Sequence, residues 1–224
     1  VDRITRNALG IALATGTYGI SFGVLAVTGG LSVAQASAMS LLIFTGASQF
    51  AVVGVLGAGG AVGAAIAPAL LLAARNAFYG ISLAPIIRGS RLSRILQTQL
   101  VIDETTAMAR AQDTPEDARR AFLITGIALF LCWNAGTLIG AFVGEGLGDP
   151  RDYGLDAMFP AAFVALLAPQ MGQPGAKQAA LIGIVIAVAL VPFVTAGIPI
   201  LAASLAIVPV AVQLRRRPVQ GAAR

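Results

Sequence analysis

"LLLAARNAFYG" occupies Leu70–Gly80, and its Arg75 is the one charged residue between Arg6 and Arg88. So long an uncharged run cannot cover the surface of a water-soluble domain. Of the 224 residues, 57% are hydrophobic and 11% are charged, with mean hydropathy +0.85. A soluble domain carries roughly 25% charged residues, so this composition predicts an all-α integral membrane protein. Helices are required because lipid leaves no partner for open backbone groups. Arg75 is then a cation at membrane depth.

A span needs about 20 mostly apolar residues. On that measure the expected segments are 8–27, 34–57, 62–87, 121–143, 155–171, 178–196 and 199–213, about seven in a single transmembrane domain covering 1–224. The first apolar stretch is too long for a cleavable signal peptide and runs on into further hydrophobic segments. Glycines suit close helix packing in lipid, and Gly16, Gly19 and Gly23 make one small-residue face.

The net charge of +5 does not read as a nucleic-acid patch, because the basic residues cluster between apolar runs and at the C-terminus. They read as topology signals, since Lys and Arg favour cytoplasmic loops. The loop carrying Arg88, Arg91, Arg94, Arg110, Arg119 and Arg120 and the tail carrying Arg215, Arg216, Arg217 and Arg224 are both expected inside. Three spans before the loop would put the N-terminus outside, against the vote of Arg3 and Arg6; a re-entrant second segment would bring it inside. "RLSRILQTQLVIDETTAMARA" in linker 88–118 spaces apolar residues as an amphipathic helix along the membrane face. After it, "DTPEDARR" offers an N-cap aspartate, Asp113, and an acidic first turn.

"TYGISFGVLAVTGGLS" overlaid on "NAGTLIGAFVGEGLG", and "IFTGASQF" on "VALLAPQM", pair Gly30 with Gly146 and Gln49 with Gln170. Units 1–87 and 119–213 would each hold three spans and so be inverted in the membrane, with helix interruptions at Gly46 and Pro169. Inverted repeats with interrupted helices belong to transporters, whose sites lie at the repeat interface near the midplane.

A membrane-embedded arginine must face protein or water and find a partner. Arg75 either fastens helices or presents a fork of donors to a carboxylate; Asn76 and Tyr79 are its polar neighbours. "FTGASQF" sets Thr45, Gly46, Ser48 and Gln49 at membrane depth. Unwinding at Gly46 would free amides and a half-helix N-terminus for an anion, and the plainer alternative is polar glue between helices. Asp103 and Glu104 read as a gate or coupling site at the membrane surface, and Asp156 as an N-cap or coupling acid. Glu145 and Asp149 read as surface charge.

Other chemistries are set aside on the residues. One cysteine and no histidine leave no disulfide framework, Cys/His metal site or histidine relay. "GAGGAVGA" lacks the GK[ST] ending of a P-loop, and HExxH and GxSxG do not occur. No cofactor and no enzyme activity are expected.

"SFGVLAVTGGLSVAQASAMSLLIFTGASQFAVVGVLGAG", "LLLAARNAFYGISLAP", "LVIDETTAMA" and "YGLDAMFPAAFVALL" resemble, in order and spacing, the AzlC-like proteins, the azaleucine-resistance or branched-chain amino acid permease family. The resemblance runs from about Gly16 to Pro209. It implies a large subunit exporting leucine, isoleucine, valine and, in related proteins, methionine across the bacterial inner membrane, with a small AzlD-like partner subunit. Ser48 and Gln49 fall in the family's "GASQF" element, Arg75 and Tyr79 in its "ARHxxYG" element, and Asp103 and Glu104 in its "DE" element. Ala73 and Asn76 stand where the family often has asparagine and histidine, which removes a proton carrier. A non-transporting scaffold and a passive channel subunit are the alternative readings.

Overall fold

The structure, a computed structural model, describes residues 2–147, 164, 167–194 and 198–216. Helix α1 (Arg3–Thr28) and helix α8 (Pro115–Gly146) are long and apolar enough to cross a membrane, as is Val62–Leu83. The last of these is α4 (Val62–Ala73) and α5 (Arg75–Leu83), interrupted only at Ala74. The chain is a multi-pass helical membrane protein.

Helices α1 and α8 form the central pair, and small residues bring them together. A Cβ at Gly19 would lie 2.7 Å from the Trp133 carbonyl oxygen, and one at Gly23 would strike the Thr137 carbonyl. From the other side, side chains at Gly136 and Gly140 would strike the carbonyls of Gly16 and Ile20. Lipid supplies no hydrophobic drive between helices, so backbone approach of this kind is what holds them. The predicted glycine face is thus used, and Gly136, Gly140 and Gly144 answer it.

The order of these contacts fixes direction. Gly16 meets Cys132 and Gly136, whereas Gly23 meets Thr137, Gly140 and Ala141, so α1 and α8 run parallel. At their shared starting end Asp2 pairs with Arg120 at 2.5 Å. The N-terminus therefore lies on the same side as the basic loop, correcting the outside placement that three spans had implied. Arg3 and Arg6 now agree with Arg88, Arg91 and Arg94, and by the positive-inside rule this side is cytoplasmic.

The second segment accounts for the change. It comprises α2 (Val33–Leu42) and α3 (Ala47–Gly57), each too short to span. Ser40 donates to Thr137 Oγ1 at 3.1 Å and the Phe44 ring meets Phe130 at 5.0 Å, so α2 runs against α8 from its far end to its middle. The chain turns at Gly46, whose φ of +60 and ψ of −83 suit a residue without a Cβ. Helix α3 then returns beside α2: Gln49 Nε2 donates to the Met39 carbonyl at 3.4 Å, and Val53 shares a cluster with Leu25, Ala26 and Ala36. This is a re-entrant hairpin. Two crossings, α1 and α4–α5, precede the basic loop, so 1–87 holds two spans instead of the expected three, and the parallel run of α1 and α8 does not keep the inverted relation expected between units 1–87 and 119–213.

The loop enters the protein too. Its expected single surface helix is instead α6 (Arg91–Thr98) and α7 (Asp103–Arg110). Helix α6 keeps Leu92, Ile95 and Leu96 exposed and suits a membrane face. Arg119 bonds the Ile86 carbonyl at 2.6 Å and Gln97 Oε1 at 3.0 Å, which sets Gln97 level with residue 119. Leu100 then packs on Gly126, and Ile102 clusters with Leu129 and Trp133. The climb from 119 to 129 along α8 is about 15 Å at 1.5 Å per residue. Helix α7 descends again until Met108 meets Ile4, Ala8 and Ala121. Buried Val101, Ile102 and Thr105 explain why the segment leaves the surface.

One local expectation shifts slightly. The N-cap of α8 is Thr114, whose Oγ1 accepts from Asp117 N–H at 3.1 Å, one residue after the expected Asp113. Glu145, in the last turn of α8, is exposed, in keeping with its reading as surface charge. Beyond α8, a 3₁₀ turn (Ala168–Gly172) precedes α9 (Ala176–Leu190), α10 (Ile198–Ser204) and α11 (Ile207–Arg216). Gly175 lies against Val210 and Leu214, and Gly183 faces Ala203, so α9 runs against α10–α11. Asp149, Asp156 and most of segment 155–171 lie outside the described residues.

Candidate functional site

Two short helices begin at the depth where the re-entrant segments meet. Helix α3 starts after Gly46, which has no side chain to cap its first amides, and helix α7 starts after Ile102, which also offers none. In each, the third helical residue bonds back instead. Gln49 Oε1 accepts from Gly46 N–H at 3.1 Å, and Thr105 Oγ1 accepts from Ile102 N–H at 3.1 Å. That leaves first-turn amides of both helices without a side-chain cap; the start of α3 carries no acid to offset its dipole, whereas Asp103 and Glu104 stand in the first turn of α7.

Between them lies a cavity of about 550 Å³. Thr15 and Tyr18 of α1 and Leu129 and Trp133 of α8 line it, which places it near the middle of both long helices. Its polar lining is Thr45, Gly46, Arg75, Tyr79, Asp103 and Glu104; Phe44, Phe50 and Ile102 add apolar wall. Arg75 Nη1 and Asp103 Oδ2 are 2.7 Å apart, each side chain 39% exposed. The unexplained arginine thus has a partner. Asp103, expected at the membrane surface, is carried to mid-depth by the re-entrant loop, and each charge offsets the cost of the other.

Aromatic packing holds the hairpin tip against the long pair. Phe22 stacks on Trp133 with ring centroids 5.9 Å apart, and Phe50 meets Phe22 edge-on at 5.7 Å. Such pairs contribute about 0.5–1.5 kcal/mol each beyond area burial. The two re-entrant segments are also tied directly: Gln99 Nε2 donates to the Leu41 and Leu42 carbonyls at 3.0 and 3.2 Å.

The hydrogen-bond ledger around the cavity is incomplete. Thr45 Oγ1, Arg75 Nε, Asp103 Oδ1 and Trp133 Nε1 are all buried without a partner. A buried unsatisfied polar atom costs about 1–3 kcal/mol, and four around one cavity mark a place built for polar company.

The sequence-predicted residues divide into groups. Thr45, Gly46, Arg75, Tyr79, Asp103 and Glu104 come together at the cavity. Ser48 and Gln49 are buried behind it, and Gln49 uses both ends of its amide on the hairpin backbone. Asn76 lines an adjacent cavity with Gln99, and the two cavities share Phe44 and Thr45. Asp156 lies outside the described residues. Sequence reasoning missed Thr15, Tyr18 and Trp133. The signal for Trp133 was its position, since tryptophan in spans favours the interfaces and this one sits mid-helix.

Fold and cavity together define a multi-pass membrane protein with a polar chamber enclosed by broken helices. The chain belongs to the AzlC family: the family model described as "AzlC protein" matches residues 10–147, which contain the entire chamber. It is 27% identical over 201 residues to the branched-chain amino acid transport protein AzlC of Bacillus subtilis, covering 88% of this chain and 78% of that one. It is 30% identical over 192 residues to the inner membrane protein YgaZ of Escherichia coli, covering 80% and 77%. An uncharacterized membrane protein of Helicobacter pylori is 28% identical over 184 residues, covering 81% and 80%. No solved structure matches the chain significantly.

Proposed function

We propose that this chain is the large subunit of a secondary transporter that exports leucine, isoleucine and valine, with methionine as a further substrate, across a bacterial inner membrane. A small AzlD-like membrane subunit works with it. The observation that carries this reading is the chamber itself: one ion pair and four unpartnered polar atoms beside apolar wall. Charged and hydroxyl groups beside apolar wall are what a hydrophobic amino acid requires, and the volume falls in the usual range for small ligands, about 300–1,000 Å³. The name of the B. subtilis relative supports the substrate class.

In this reading the lining of Thr45, Gly46, Arg75 and Tyr79 receives the polar end of the substrate, and Phe44, Phe50 and Leu129 receive its side chain. Ser48, Gln49 and Asn76 support the hairpin and the adjacent cavity. Asp103, paired with Arg75, and Glu104 beside it are the gating or coupling candidates within the chamber, and Asp156 is a coupling candidate on sequence alone. Counterflow of labelled leucine, valine and methionine in proteoliposomes, with and without the small subunit, tests it. Saturable exchange supports transport, whereas flux that does not saturate indicates a channel and copurification without flux indicates a scaffold.

A further inference from the structure

The Arg75–Asp103 pair has two ends, and each has a spare group. Beyond the bond between Nη1 and Oδ2, Arg75 retains Nε as an unpartnered buried donor and Asp103 retains Oδ1 as an unpartnered buried acceptor. A second unpartnered donor, Nε1 of Trp133, belongs to a side chain only 3% exposed that lines the same chamber. Donor and acceptor capacity of opposite charge therefore stand side by side at mid-depth.

We propose that this pair is a two-ended clamp for a free zwitterion, in which the ligand carboxylate takes Arg75 and the ligand ammonium takes Asp103. The proposal rests on the amino-acid transport reading and specifies which chemical feature the site selects. A carboxylate without an amine would draw Arg75 away and strand the acid; an amine without a carboxylate would strand the arginine. An uncompensated charge at depth is costly. A zwitterion exchanges one ion pair for two and leaves net charge unchanged. Gly46 and Ala47, at the uncapped start of α3, line the same chamber, and a helix N-terminus favours an anion.

The consequence is discrimination by the two termini of the substrate. Sites built to bond a substrate polar group reject analogues that lack it far more strongly than apolar pockets reject a missing methylene. Leucinamide lacks the carboxylate and 4-methylpentanoate lacks the ammonium, while both keep the leucine side chain.

The experiment is a titration of the full chain in nanodiscs, read by the fluorescence of Trp133, the single tryptophan of the chain. Leucine is expected to bind at least about tenfold more tightly than either leucinamide or 4-methylpentanoate. In Asp103→Asn the advantage of leucine over 4-methylpentanoate should fall toward parity, because the ammonium has lost its acceptor. The wild-type comparison stands by itself if that variant fails to fold. Affinity for leucine and 4-methylpentanoate within about threefold in the wild-type chain overturns the clamp alone. No response to any of the three, together with no leucine counterflow, overturns the transport reading and the clamp with it.

Discussion

Glycine does different work at different positions in this chain, and substitution separates the cases. At Gly46 the backbone has positive φ, so Gly46→Ala should lower stability by about 1–3 kcal/mol through strain alone, although the nearest atom, on Trp133, is 4.0 Å from the added Cβ. At Gly23 and Gly140 the added Cβ instead strikes the backbone of the facing helix. Those helices must part, and overpacking of this kind costs about 1–3 kcal/mol or more. Gly10 has nothing within 4 Å, and Gly10→Ala should leave the melting temperature in detergent unchanged or slightly higher. Asp2 makes a pH-dependent contribution. Its carboxylate accepts from Thr5 N–H at 2.8 Å, and these bonds, joined by that to Arg120, hold it below its ordinary 3.8. A carboxyl lowered in the folded state stabilises above its unfolded pKa and loses that contribution as pH falls through the folded value. Asp2→Asn should therefore flatten the acid limb of the melting curve below about pH 4 and lower stability modestly at neutral pH.

At the scale of elements, the difference between a span and a hairpin decides the topology. Hydropathy identified 34–57 as one segment because its two halves are apolar and close together; only the positive φ at Gly46 and the pairing of Gln49 with Met39 show that the chain turns back. The possibility was legible in the glycine and in the disagreement of Arg3 and Arg6 with a three-span count. The second re-entrant segment was hidden for the opposite reason. Residues 97–110 carry enough polar side chains to resemble a loop, and what holds them inward is the burial of Val101, Ile102 and Thr105 together with the pairing of Asp103 with Arg75, a residue far away in sequence. The topology is directly testable in a Cys132→Ala background. Ala34→Cys, at an exposed position of α2, should react with an impermeant thiol reagent added from outside intact cells, and Arg6→Cys should react only after the membrane is opened. The reverse pattern would restore three crossings before the basic loop.

The whole molecule brings together two half-helices whose N-termini meet at mid-depth from opposite sides, α3 rising away from Gly46 and α7 descending from Ile102. The chamber they enclose borders the long pair α1–α8, whose backbones pack closely through glycine, so in the proposed transport reading a change of access would fall to the hairpins. Thr45 occupies the decisive position, because it lines both the central chamber and the adjacent cavity beside Gln99. Gln99 in turn ties the two re-entrant segments through the Leu41 and Leu42 carbonyls. If access alternates across this partition, Thr45→Cys in the Cys132→Ala background should be labelled by an impermeant thiol reagent from the cytoplasmic side of inverted vesicles. Leucine should slow that labelling several-fold by occupying the chamber. Removing the tether with Gln99→Ala should raise the labelling rate without leucine, because the partition then opens with one fewer bonded contact. It should leave the leucine concentration for half-protection largely unchanged, since Gln99 does not line the central chamber. A Gln99→Ala variant with unchanged labelling, or one whose leucine protection is lost altogether, would show that the partition is not where access is controlled.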